Sequence, residues 1–173
     1  MITPVEAASQ FVAQAAVLET LLSVTQDQAA WKPSEKSWSL LEVTNHLWDE
    51  EKEDFKKRLD LLLHAPGQEW PSIDPEGWVK GREYAARDQA ESLEGFLKER
   101  QASVNWLRAL SVDDAAWNNK YEHPALGTLF AGDMLASWLS HDLFHTRQIL
   151  KLHQFYNDEQ LKPFSRDYAG GKW

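Results

Sequence analysis

The chain has 173 residues, 43% hydrophobic and 26% charged, the length and balance of one ordinary globular domain, which excludes a disordered chain. It contains no Cys, which excludes disulfides, thiolate-held zinc or iron–sulfur, a CxxC redox pair and a cysteine nucleophile. Its net charge of −9, from 18 Lys and Arg against 27 Asp and Glu, disfavours a nucleic-acid backbone or an anionic membrane surface as partner.

Met1-Ile2-Thr3-Pro4-Val5-Glu6 lacks the basic and apolar regions of a signal peptide, and no apolar run approaches the roughly 18 residues of a membrane span. A cytoplasmic location is therefore expected. Thr3-Pro4-Val5-Glu6 reads as a capping box with Pro at the first helical position, which predicts a helix to about Leu22 with Phe11, Ala15, Leu18 and Leu22 on its core face. Ser39-Leu40-Leu41-Glu42 is a second box, with Trp38 and Val43 placed as a hydrophobic staple, and opens a helix to about Leu63. From His64 to Glu83, three Pro and three Gly exclude a continuous helix. A loop of that length is uncommon in a small domain and reads either as a lid or as a connection whose Trp70 and Trp78 cover the bundle. A third helix is predicted from about Ala86 to Leu110 on the stripe Ala86, Ala90, Leu93, Leu97, Val104 and Leu107. A fourth runs from a Thr128 cap to about Leu152, before a polar tail.

With four such helices, no period-two strand and no linker, the expected fold is an all-α four-helix bundle with a long loop between helices two and three, residues 1–173 forming one domain. Leu22-Ser23-Val24 leading to Ala29-Ala30-Trp31 is echoed by Leu110-Ser111-Val112 leading to Ala115-Ala116-Trp117, which suggests two similar helical hairpins.

Of the six histidines, only His141 and His145 have metal-ligand spacing. Residues four apart lie one turn above each other on a helix, so two imidazoles can reach one ion. The pair falls on an inward row with Phe130, Met134, Trp138 and Leu152, where an imidazole without a partner is costly and a shared metal would satisfy both. The alternative is that each ring hydrogen-bonds a neighbouring helix. A third ligand with open positions would describe a catalytic site. His46 leads, although it lies on the flank of its helix's apolar stripe, and Glu50 and His153 are rivals.

Trp-Ser-Leu-Leu-Glu-Val-Thr-Asn-His-Leu at 38–47 and Ser-His-Asp-Leu-Phe-His-Thr-Arg-Gln-Ile at 140–149 together resemble the paired signature of the DinB-like superfamily, the damage-inducible family and not the polymerase of that name. The resemblance implies a four-helix bundle, often a homodimer, with a divalent metal, commonly zinc, nickel or iron, on three histidines that map to His46, His141 and His145. Relatives with assigned activities include thiol-dependent S-transferases and isomerases using glutathione, mycothiol or bacillithiol. The expected function is a metal-dependent enzyme acting on a small molecule, a transferase or hydrolase with the ion as Lewis acid. Any thiol must be a cosubstrate, since the chain has none. The alternatives are a non-catalytic metal-binding or stress-associated protein and a metal-free interaction module.

Around the ligands, Gln148 shares the face of His141 and is placed to orient a ligand or water, while Asp142 and Glu50 are candidate acceptors of an imidazole N–H. Glu50-Glu51, Glu53 and Asp54, followed by Lys56-Lys57-Arg58, read as a solvated face of alternating charge. No GxSxG elbow, Gly-rich phosphate loop or HExxH occurs.

Overall fold

Both capping boxes form. Glu6 N–H donates to Thr3 Oγ1 while Thr3 N–H donates to Glu6 Oε2, and Ser39 and Glu42 repeat the exchange at 3.2 and 2.8 Å. In the computed structural model, which describes residues 2–170, these boxes open α1 (Pro4–Leu22) and, after the short α2 (Gln26–Ala30), α3 (Leu40–Glu53). There follow α4 (Phe55–His64), α5 (Pro75–Gly81), α6 (Gln89–Ala109), the strands β1 (Lys120–His123) and β2 (Gly127–Phe130), and α7 (Ala131–Gln160). The bundle consists of α1, the α3–α4 pair, α6 and α7. In it, α6 packs on α1 and α3, and α7 packs on α1 and α4. Among the described residues, no helix is long and apolar enough to cross a membrane.

Several boundaries differ from the sequence expectation. The second helix is broken at Asp54 (φ −115°, ψ −93°), which separates α3 from α4. No Pro or Gly marks the break, so residue patterning gave no sign of it. The predicted loop contains α5, started by Pro75 and capped by Asp74, whose Oδ1 accepts from Gly77 N–H at 3.0 Å. The two loop tryptophans do not reach the histidine pair. Trp70 is stacked at 4.1 Å on Tyr121 with Arg58 on its ring, and Trp78 carries Arg82 at 3.9 Å.

Thr128 does not cap α7. It lies in β2 of an antiparallel hairpin that pairs Lys120 with Phe130 and His123 with Gly127, and its hydroxyl donates to Glu122. Tyr121 and His123 of β1 are half-buried between exposed neighbours, but strands of four residues are too short to carry a clear period-two signal. α7 starts after Phe130, whose N–H donates to Asp133 Oδ2 at 2.9 Å, and ends at Gln160 instead of about Leu152.

The stripe on α6 is rotated from the expected one. Ala86 lies before the helix and Ala90 is exposed, while Gln89, Ser92, Phe96, Arg100 and Ser103 are buried with Leu93, Val104 and Leu107. On α1, Phe11, Leu18 and Leu22 are buried as expected. Gly95 lets α6 approach Trp48 of α3, because a Cβ there would collide with the indole.

The core has two parts. One gathers Phe11, Phe55, Leu59, Leu107 and Trp138; the other gathers Leu18, Leu22, Leu40, Leu47, Phe96 and Ile149. The repeated segments after α1 and α6 both form short helical turns, α2 before Trp31 and a 3-10 turn at Asp114–Asn118 that buries Trp117.

Candidate metal centre

α3 is an unusual helix: eleven of its fourteen residues are buried, among them Glu42, Thr44, Asn45, His46, Asp49, Glu50 and Glu51. Buried polar groups need partners, and most of these find one far away in sequence. Asn45 bonds Ser92 and Arg87, Asp49 accepts from Tyr84 Oη at 2.6 Å and from Arg82, and Glu51 accepts from Arg100 and from Trp138 Nε1. The block from Glu50 to Asp54 is thus not a solvated face: Glu50, Glu51 and Asp54 are buried, and Glu53 pairs with Arg82. Spacing along α3 could not reveal this, since Arg82, Arg100 and Trp138 lie on other elements.

This polar helix brings His46 against α7. His46 Nε2 lies 3.3 Å from His141 Nε2, which lies 3.1 Å from His145 Nε2, and the three donor atoms fall within 4.8 Å of one another. His46 is 7% exposed, and the other two are partly buried. Rings close on either side. Trp38, next to the α3 cap, is edge-on to His46 at 5.1 Å, and Phe55 of α4 is 4.9 Å from His141. The cluster therefore sits where the two halves of the core meet.

The electrostatics suit a cation. Burial pushes His46 down to about 3, with the His145 charge adding to it. Burial also lowers His141 to about 2, with His145, His46 and Arg100 contributing. His145 is lowered for the same first reason. All three rings are neutral near pH 7, so each offers a nitrogen lone pair. His145 Nδ1 is 2.8 Å from Gln148 Oε1; donating there commits Nδ1 to the proton and leaves Nε2 as the lone pair facing the cluster. His46 Nδ1 is buried without a partner. Three converging imidazole nitrogens cannot all satisfy one another, and one divalent ion of borderline softness fits this donor set.

The remaining candidates fall elsewhere. His153 is structural: Nε2 donates to Leu21 O at 2.7 Å and Nδ1 faces Gln28. Asp142 does not meet an imidazole. Its carboxylate is engaged by both terminal nitrogens of Arg100, which also bonds Glu51 at 2.8 Å, so the group beside His141 fastens α7 to α6 and α3. Glu50 is not among the clustered side chains. Residue patterning missed Arg100, although its place on the stripe with Phe96, Ser103 and Leu107 was the available sign. It also gave Trp38 a role only at the helix cap.

Burial pushes the Glu50 carboxyl up to about 9, and neighbouring Asp54 adds to it. In the unfolded chain Glu50 ionises near its ordinary value of 4.5. Between those limits the folded state holds the extra proton, so this contribution to stability is complete below the lower value and is lost as pH rises through the upper one. Glu50→Gln cannot ionise. Its melting temperature is expected to exceed that of the wild type by a margin that widens from about pH 5 to about pH 9. A margin independent of pH would mean that Glu50 is charged in the folded protein.

Comparison with known proteins agrees with the geometry. A model of the DinB superfamily matches residues 10–149, a span that includes all three clustered histidines. No curated protein matches the sequence. Among solved structures the chain is similar to YfiT from Bacillus subtilis, described as a probable metal-dependent hydrolase with an unusual four-helix bundle topology. The TM-score is 0.74 at 18% identity, over 86% of this chain and 85% of that one, a likeness of fold. With the family model covering most of its length, the chain belongs to the DinB superfamily.

Proposed function

We propose that this protein is a metal-dependent enzyme, a hydrolase or group transferase acting on a small molecule, with one divalent ion held by His46, His141 and His145. The observation that carries the reading is the convergence of three neutral imidazole nitrogens within 4.8 Å, a donor set of three side chains among the described residues. Three protein donors characterise catalytic sites, which keep a position for water or substrate. When bound, such an ion supplies Lewis acidity, making a water or thiol more acidic or polarising a substrate oxygen. The chain's own groups prepare that chemistry. Burial keeps the imidazoles unprotonated, Gln148 fixes the tautomer of His145, and the Arg100–Asp142 pair holds the turn of α7 that carries His141. Trp38 and Phe55 exclude water from two flanks. If the transferred group goes to a thiol, that thiol is a cosubstrate, because the chain has no Cys. The description of YfiT as a probable metal-dependent hydrolase supports the hydrolytic form.

The test is to load the purified protein with zinc, nickel or ferrous iron, count ions per chain, and screen ester and amide hydrolysis and thiol conjugation. One ion per chain, with turnover abolished by a chelator and restored by metal, is the expected result. Stoichiometric metal with no turnover in either screen would favour a metal-binding protein without chemistry. No bound metal would overturn the proposal.

A further inference from the structure

Two clefts open beside the histidine cluster, of about 420 and 520 Å³, and they share Gln148 and Lys151 of α7. None of the three histidines lines either cleft, but the first adjoins the cluster through two residues of its lining, Trp38, which contacts His46, and Gln148, which bonds His145. The walls are apolar, formed by Pro33, Trp38, Leu152 and Phe155 in one cleft and Phe144 in the other. Their charged lining residues are all of one sign: Lys36, Arg147 and Lys151. None of the three takes part in an ion pair with a carboxylate among the described residues. In a chain of net charge −9, three cations without a carboxylate partner along these two adjoining clefts, Lys151 lying over the Phe155 ring at 5.6 Å, are a local reversal of sign. An opposed field focused in a cleft raises the local concentration of anions, and apolar walls add affinity for a hydrophobic body.

We propose, resting on the reading of the histidine cluster as a reaction centre, that this groove binds a small organic carboxylate with an apolar, ring-sized body. Lys36, Arg147 and Lys151 receive the carboxylate. The body lies between Trp38 and the Phe144–Phe155 side of α7, with its far end toward Gln148 and the cluster.

The probes are 4-fluorophenylacetate, its uncharged amide and inorganic phosphate, titrated by NMR into the full-length protein, metal-free and zinc-loaded. Zinc binding is measured separately on every variant. The carboxylate is expected to bind both forms saturably, with the amide and phosphate each about tenfold weaker or more, since each lacks one of the two interactions. Combined Lys36→Gln, Arg147→Gln and Lys151→Gln substitutions are expected to abolish carboxylate binding and leave zinc binding unchanged. Equal binding of acid and amide, retained binding in the triple variant, or binding that requires zinc and ignores the three cations would overturn the proposal. Phosphate binding as tight as the carboxylate would overturn the part played by the apolar walls. A protein that binds the carboxylate but no zinc would refute the metal reading alone, and one that binds zinc but no carboxylate would refute the groove alone.

Discussion

His141→Ala and His145→Ala proteins are expected to fold and to lose their metal, with affinity reduced on the order of a hundredfold or more, and His46→Ala is expected to do the same. The expectation rests on an asymmetry between stability and binding. In the metal-free protein the three rings contribute little to the fold: His46 is buried and the other two are half-buried, two Nε2 atoms converge on a third, and His46 Nδ1 has no partner among the described residues. Replacing a desolvated, poorly satisfied polar group by an apolar one is close to neutral or stabilising. His46→Leu is thus expected to raise the melting temperature of metal-free protein while abolishing binding. A histidine kept for structure behaves in the opposite way, as His153→Leu should, because it removes the bond to Leu21 O. Gln148→Ala occupies the middle ground, leaving three donors in place but freeing His145 to take either tautomer, and about 10- to 100-fold in affinity is the expected loss. Calorimetric titration of zinc together with thermal melts of the same preparations separates these outcomes. Full metal occupancy in His141→Ala would remove that residue from the site.

Arg100→Met is expected to be the most damaging single substitution for the fold itself. Arg100 is 2% exposed and lies among Phe11 and Phe96, where it holds Glu51 and Asp142, themselves 2% and 0% exposed. Its removal leaves two buried carboxylates without a counterion, a situation that costs about 3–5 kcal/mol. Urea unfolding reads this as a lower midpoint. Arg100→Lys recovers only part, since one ammonium cannot reproduce the planar fork that bonds both carboxylates at once. The triple variant Arg100→Met, Glu51→Gln, Asp142→Asn is expected to recover most of the loss, because no uncompensated charge remains. A fall in stability no greater for Arg100→Met than for an exposed Arg108→Met would show that the network is hydrated in solution. Since Asp142 adjoins His141, weaker zinc binding by the folded fraction is expected to accompany the loss.

Those two regions also mark what the sequence made legible. Much that is specified within four or five residues was readable: both capping boxes, the Pro4 start of α1, and the one-turn spacing of His141 and His145, while the Asp74–Pro75 start of α5 was passed over as loop. His46 was not readable from its own helix, where it flanks the apolar stripe, because α3 is buried over most of its circumference and a single stripe does not describe it. It led the candidates for a third ligand with Glu50 and His153 as rivals, and the resemblance of two motifs singled it out. Glu51 and Asp142 were misjudged for a related reason, as carboxylates are exposed unless paired and their partner lies 49 and 42 residues away. The hairpin sets Tyr121 on Trp70 of a loop distant in sequence, a contact that no local pattern encodes, and no Pro or Gly marks the break at Asp54.

The Ser39–Glu42 box has a role in the site as well as in the start of α3. His46 is seven residues beyond the cap, and two helical turns span about 7.2 residues, so the ring points almost along the direction set by the cap itself. The cap is in effect the phase reference of the centre. A residue gained or lost between Ser39 and His46 turns the third donor by about 100° and out of register with α7. The segment that contributes Pro33, Lys36 and Ser37 to the groove lies upstream of the reference, outside the helix that carries the donor. The protein can therefore reshape the mouth of its groove while the donor beneath it stays fixed in angle.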